Sequence, residues 1–259
     1  MIALIIRRIF QSIIVMLTVA LVAFTLFRYV GDPITQMVGQ ETSIADMDRL
    51  RQELGLNDPV IVQFARFAWN TLQGEFGISY RLGRPVNELF VERLPATLEL
   101  SLVAALFSLI IGIPMGVYTG LYPDRILSKV FQAVSLIGIA LPTFLIGILL
   151  ILFFGVLLGW LPTFGRGEVV QLGWWSTGLL AVSGLKALIM PAFTLGMFQL
   201  TLIMRLVRSE MMEVLRTDYI KFARARGLTD RAINFGHALK NTLVPVITIT
   251  GLQIGSIIA

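Results

Sequence analysis

Residues 95–121 read PATLELSLVAALFSLIIGIPMGVYTGL, twenty-seven positions with one charged side chain, Glu99, near their start. A bilayer core about 30 Å thick needs about 20 apolar residues of helix, so this stretch is long enough to cross it. A barrel strand would alternate polar and apolar residues over about ten positions, and this block does not. The whole chain agrees with its densest block. Hydrophobic residues make up 56% of 259, charged residues 14%, and the mean hydropathy is +0.81. A soluble domain carries about 25% charged residues, so this chain lacks the polar surface to face water all round. Lipid is the expected solvent for much of it, and the expected class is an all-α polytopic membrane protein.

Toward the N-terminus, a first span is expected from about Ile9 to Val30, behind Arg7 and Arg8. Its apolar run exceeds the 7–15 residues of a signal-peptide core and no small-x-small cleavage pattern follows, so an uncleaved span is favoured. Between it and the quoted block, residues 31–94 read as short amphipathic helices. Ser43 is placed to cap one that ends at Gly55, with Asp46 favouring its positive end. Asp58-Pro59 opens another, and Gly74, Gly77 and Gly83 punctuate the stretch beyond it.

Toward the C-terminus, a short loop from Tyr122 to Lys129 precedes a third span, about Val130 to Leu158, interrupted by Pro142. Trp160 to Leu185 is expected to be a loop, with Trp174 and Trp175 suited to a membrane interface. A fourth span is expected from about Lys186 to Leu206, and a basic segment leads to a last apolar run, Leu243 to Ala259. That run has 17 residues, about 25 Å of helix, so five spans are expected with the last incomplete.

Orientation follows from charge. Arg7 and Arg8, then Arg125 and Lys129, then eight Lys/Arg against four acids between Arg205 and Thr242 fall on one side. The segment from Gly31 to Pro95, with six arginines against nine acids, falls on the other. The positive-inside rule places the N-terminus in the cytoplasm. The net charge of +5 is thereby accounted for by topology, and nucleic acid has no place among the expected partners. With no cysteine and one histidine, His237, a thiol nucleophile, an iron–sulfur cluster and a multi-histidine metal site are excluded. For His237 a structural hydrogen bond is the favoured role.

Glu99 and Arg28 sit near span ends, where a side chain reaches the interface, and no Asp, Glu, Lys or Arg falls near a span centre. A charge retained there costs at least about 2.5–3.5 kcal/mol and marks ion pathways, so energy for transport is expected from outside the spans. Gln132, Pro142 and Gln199 are the candidates for lining a passage. Each glutamine fits equally an interhelical hydrogen bond, and the span glycines and prolines (Gly112, Gly116, Gly138 and Pro191 among them) fit close packing as well as bending.

The most specific stretch is 217–228, TDYIKFARARGL. Thr217 is placed to cap a short helix, Asp218 suits its N-terminal end, Arg224 and Arg226 its C-terminal end, and Gly227 its left-handed stop. Thr229 is placed to start a second helix. Tyr219, Phe222, Ala223 and Leu228 are apolar on a segment outside the bilayer, so a surface must cover them: lipid headgroups or a docked soluble protein.

This segment resembles the cytoplasmic loop of binding-protein-dependent ABC importer permeases, and most closely the dipeptide, oligopeptide and nickel permease family. The general loop motif of those permeases is matched only at Ala223, Gly227 and Leu239. The peptide branch is matched from Asp218-Tyr219 through Ala223-Arg224-Ala225-Arg226-Gly227-Leu228 to His237-Ala238-Leu239-Lys240-Asn241 and Pro245. The likeness continues at Gly31-Asp32-Pro33, Glu53-Leu54-Gly55-Leu56, Gly74 to Ser79, Arg84-Pro85-Val86, Arg93 to Leu100, Leu141 to Phe144, Gly159 to Pro162 and Gly251 to Gly255.

The resemblance implies a type I ABC importer permease whose sixth span is missing from this sequence. Residues 1–30 would be the N-terminal span, 31–94 a periplasmic helical loop, and 95–259 the permease core with a coupling loop at 207–242. Asp218, Tyr219, Phe222, Ala223, Arg224, Ala225, Arg226, Gly227 and Leu228 would form the helix that docks on an ATPase. The implied partners are a second permease in a heterodimer, two cytoplasmic ATPases carrying ATP and magnesium, a periplasmic substrate-binding protein and membrane lipid. The chain itself would bind no cofactor and hydrolyse nothing. Short peptides are the expected cargo; a nickel complex or glutathione on the same architecture, or an ion-coupled carrier, are the alternatives.

Overall fold

The computed structural model describes residues 2–29, 34, 44–53, 55–79 and 81–258. Gly31-Asp32-Pro33, Ser43 and Leu54 lie outside the described residues, as do the side chains of Arg28 and Asp46. The chain divides into two compact units, Met1–Arg93 and Leu94–Ala259.

In the first unit, α1 (Ile2–Tyr29) is mostly apolar, and none of its span from Ala3 to Leu26 is buried by protein. After α2 (Ile44–Glu53), α3 (Val60–Leu72) starts behind Pro59, which occupies the cap position. The side chain of Gln63 turns back from α3 to donate to the carbonyls of Leu56 (2.8 Å) and Asp58 (2.7 Å), while Arg66 pairs with the Asp58 carboxylate at 2.6 Å. Phe24 of α1 meets Phe64 and Phe67 of α3, with ring centroids 5.6 and 6.0 Å apart.

The quoted block lies in α4 (Val86–Leu121), a helix with Pro95 and Pro114 inside it. Its partner is α7 (Val182–Val214), which extends eight residues beyond the expected span end at Leu206. Ala104, Ser108, Gly112, Gly116 and Gly120 recur every fourth residue of α4, a stripe on one helix face. Against it lie Gly196, Ile203, Met204, Val207 and Met211 of α7. A Cβ on Gly116 would stand 2.6 Å from the Cβ of Val207, so the two backbones meet at a distance only glycine permits. The Ser108 hydroxyl donates across the seam to the Gly196 carbonyl at 2.8 Å. The span glycines Gly112, Gly116, Gly138 and Gly196 are packing positions here.

The third expected span is two pieces. Helix α5 (Ile126–Ala140) and helix α6 (Thr143–Leu150, continued by a π-helical stretch, Ile151–Leu157) are bent 105° apart at Leu141-Pro142. Leu141 is extended (φ −99°, ψ 135°), as a residue preceding proline must be, and Pro142 brings no N–H to continue the ladder. Thr201 of α7 donates to the Ser135 carbonyl of α5 at 2.6 Å beside Gly138.

The expected loop from Trp160 to Leu185 contains a β-hairpin, β1 (Val170–Leu172) paired antiparallel with β2 (Trp175–Thr177). Its two-residue turn starts at Gly173 with φ +66°, the glycine-first geometry of a type II′ turn. Glu99 does not reach for the interface as expected: it is 4% exposed and faces this loop.

After α7 come α8 (Asp218–Ala225), a π-helical stretch (Ala232–Ala238) and α9 (Leu239–Ile258). By length and composition, the described residues hold three helices able to cross a membrane, α1, α4 and α7, with the bent pair a fourth if read as one span. The expected fifth, from Leu243, falls within α9, which is not one of these three.

Candidate functional site

The segment from Thr217 to Asn241 folds as its local chemistry dictates, with one exception. Helix α8 has eight residues, and Gly227 follows it with φ +79°. The Gly227 amide donates to the Arg224 carbonyl (2.9 Å) and the Leu228 amide to the Ala223 carbonyl (3.3 Å). That pair of bonds is a Schellman stop, closed by the one residue type that takes the left-handed conformation at little cost. The Thr229 hydroxyl then accepts from the Ala232 amide at 3.4 Å, starting the next helical stretch as expected. The exception is Thr217. It occupies the cap position of α8, but its hydroxyl donates backward to the Val214 carbonyl at 2.6 Å and satisfies no amide of the helix.

With so short a helix and no side-chain cap, tertiary packing must hold α8. Ile220 (0% exposed) and Ala223 (7%) face inward. They join Val117 of α4, Ile203, Val207 and Met211 of α7, Ile233 and Ala238 of the π-helical stretch, and Val246 of α9 in one buried cluster. Fully burying an isoleucine contributes about 1.5–3 kcal/mol toward seating the helix. Ala223, expected among the exposed docking residues, belongs to this seat. Ile220, the principal anchor, was not among the candidates; its signal was the three-residue spacing to Ala223, which puts both on one helix face.

The opposite face carries the remaining candidates. Tyr219 (42%), Phe222 (63%) and Leu228 (41%) are exposed. Asp218, Arg224, Ala225, Arg226 and Gly227 are exposed with them. The Arg226 guanidinium lies over the Phe222 ring, 5.6 Å from its centroid, and Lys221 reaches Asp218 at 2.8 Å. Asn241 at the start of α9 donates its side-chain amide to the Tyr219 hydroxyl at 2.6 Å. The result is an apolar and cationic surface on a rigid seat.

His237 is exposed, and the hydrogen bond at its position is made by its backbone carbonyl, which accepts from Asn241 at 3.4 Å. The expected structural bond therefore does not use the imidazole. Of the passage candidates, Pro142 is exposed at the helix break. Gln132 is half-buried: its carbonyl oxygen accepts from Arg208 of α7 and its amide donates to the Ser128 carbonyl at 3.1 Å, so it takes the interhelical alternative. Gln199 is 1% exposed, with neither side-chain amide atom hydrogen-bonded. The structure does not bring the three together at one surface. Among the described residues no cluster of three His, Asp or Glu is arranged to hold a metal ion.

Comparison with known proteins agrees with this architecture. Residues 112–259 match the binding-protein-dependent transport system inner membrane component, and residues 1–101 match the N-terminal part of such membrane components. The oligopeptide transport system permease protein AppB of Bacillus subtilis is 40% identical over 260 residues, covering 100% of this chain and 80% of that protein. The di/tripeptide transport system permease protein DppB of Pseudomonas aeruginosa is 37% identical over 273 residues, covering 100% and 81%. The dipeptide transport system permease protein DppB of Alkalihalophilus pseudofirmus is 32% identical over 271 residues, covering 100% and 81%. With matches over both parts of its length, the chain belongs to the inner-membrane permeases of binding-protein-dependent ABC importers, within their peptide-transport family.

Proposed function

We propose that this chain forms half of the membrane pathway for short peptides in an ATP-driven importer, and that α8 is where it receives the energy of ATP. The observation that carries the reading is the two-sided construction of α8. One side is fixed in the buried cluster by Ile220 and Ala223, and the other presents Tyr219, Phe222, Leu228 and the cations Lys221, Arg224 and Arg226 as exposed residues.

Two ATPases, holding ATP and magnesium between them, would bind beneath this chain and a related second permease. A groove on one ATPase would take Phe222 and Leu228, with Arg224 and Arg226 fixing orientation. Closure of the ATPases on ATP displaces α8, and the shared core passes that displacement to the ends of α4, α7 and α9. Packed interiors move as units rather than deform, so the cavity changes its open side. The N-terminus and α8 are cytoplasmic in this reading, the hairpin of residues 170–177 faces the periplasm, and a binding protein delivers cargo there. Five spans belong to this chain in that topology, with α9 the fifth. Gln132 and Gln199 are withdrawn into helix packing, so passage lining rests on Pro142 and the bend it makes. Nickel complexes and glutathione remain cargo alternatives on the same architecture.

The test is mild-detergent purification of the complex with and without Gly227→Glu. The wild-type chain should retain a second permease and ATPases, while the variant inserts in the membrane but loses ATPases and uptake. Wild-type association and uptake in Gly227→Glu would refute the docking role of α8.

A further inference from the structure

We infer that Glu99 is a positioning residue, a buried latch that holds the hairpin of residues 170–177 as a preformed docking surface for the substrate-binding protein. The inference rests on the topology proposed above, which puts this hairpin outside.

The latch begins with an expensive group. A carboxylate 4% exposed inside a helix, at the start of its apolar block, persists only where donors satisfy it. The donors all come from one loop, far away in sequence. The Trp175 indole N–H donates to Oε1 at 3.1 Å, the Gly178 amide donates to Oε2 at 3.1 Å, and the Arg166 guanidinium stands 3.9 Å from Oε2. Arg166 also donates to the Ser176 hydroxyl (3.3 Å) and carbonyl (3.2 Å), so the countercharge grips the second strand as well as the carboxylate. The loop is fixed on its other side to the first turn of α7. A Cβ on Gly184 would stand 2.2 Å from the Gly178 carbonyl oxygen, and the Ser183 hydroxyl accepts from the Glu168 amide at 3.0 Å. The hairpin therefore bridges α4 and α7, the two helices joined along their whole glycine stripe.

Its tip is left uncovered. Leu172 is 55% exposed and Trp174 69%, while the other tryptophan of the turn is spent on the latch. Exposed tryptophan on a rigid two-stranded scaffold is the composition of a protein-binding anchor, and prior fixation removes the ordering cost at encounter. The matched family depends on a binding protein, which supplies the occupant.

The chain has no cysteine, so a single cysteine at exposed Gln171 takes a spin label cleanly. In the full complex in liposomes, the label should be immobile, and more so when peptide-loaded binding protein is added. Glu99→Gln and Trp175→Phe should each mobilise the label and raise the concentration of loaded binding protein at half-maximal uptake by about threefold or more, with maximal uptake near wild type. A label unchanged in both variants overturns the latch. A mobilised label with unchanged half-saturation, or a label that sits in lipid and ignores the binding protein, overturns the docking surface. Should Glu99→Gln fail to accumulate, Trp175→Phe decides, since it keeps an aromatic ring in place while the indole N–H that reaches Glu99 is lost with the five-membered ring. A wild-type complex with no uptake dependent on ATP and binding protein defeats the proposed function instead, and the label's mobility still decides the latch.

Discussion

The two ends of the second unit are fastened by opposite means. At the hairpin end, a buried carboxylate draws donors from Trp175, Gly178 and Arg166 onto one point. At the α8 end, Ile220 and Ala223 sink into an apolar cluster gathered from α4, α7, α9 and the π-helical stretch. A hydrogen-bonded charge fixes one geometry and fails abruptly when a partner is lost. An apolar seat yields in proportion to the volume removed and binds whole helices to each other. The contrast suits the proposed roles: a surface met by a partner benefits from a fixed shape, and an element that transmits motion benefits from being packed into what it moves.

Substitutions can break that contrast at either end. The largest effect is expected from Ile220→Ala, which should cost about 2–5 kcal/mol in SDS-titration unfolding and abolish most ATP-driven uptake, because α8 has no side-chain cap to fall back on. Trp175→Phe should cost about 1.5–3 kcal/mol in the same titration by leaving a buried carboxylate short of a donor. It should leave ATPase association intact, which separates the two ends. Gly227→Ala meets open space, so its cost is backbone strain alone, about 1–2 kcal/mol, read as a severalfold fall in uptake at normal membrane abundance. Asn241→Ala removes an exposed hydrogen bond to Tyr219, and about 0.5 kcal/mol, near the limit of detection by titration, is expected. Equal sensitivity of hairpin and α8 to all four would erase the distinction.

What the sequence made legible was local. The α8 stop is written in Arg226-Gly227-Leu228, the following cap in Thr229, and the broken third span in Pro142, because each depends on backbone chemistry within a few residues. Long-range partnerships were hidden. Glu99 looked like an interfacial side chain since its donors lie 76 and 79 residues away, and Gln132 gave no sign of Arg208, also 76 residues distant. Thr217 shows the limit even locally: a residue of the right type in the right place gave its hydroxyl to the preceding turn. The inward turn of Ala223 with Ile220 was readable in principle from their spacing, but apolar residues occur on both faces of α8 and spacing alone did not rank them.

The central claim is that α8 carries contact with the ATPases. A single cysteine at exposed Ala225, in a chain with no other, allows a short bifunctional reagent to test it in native membranes. A cross-link to an ATPase subunit whose yield changes when ATP is added is the predicted result. Full ATP-driven uptake by the same variant, with no cross-link from Ala225 to any ATPase in either state, would contradict it.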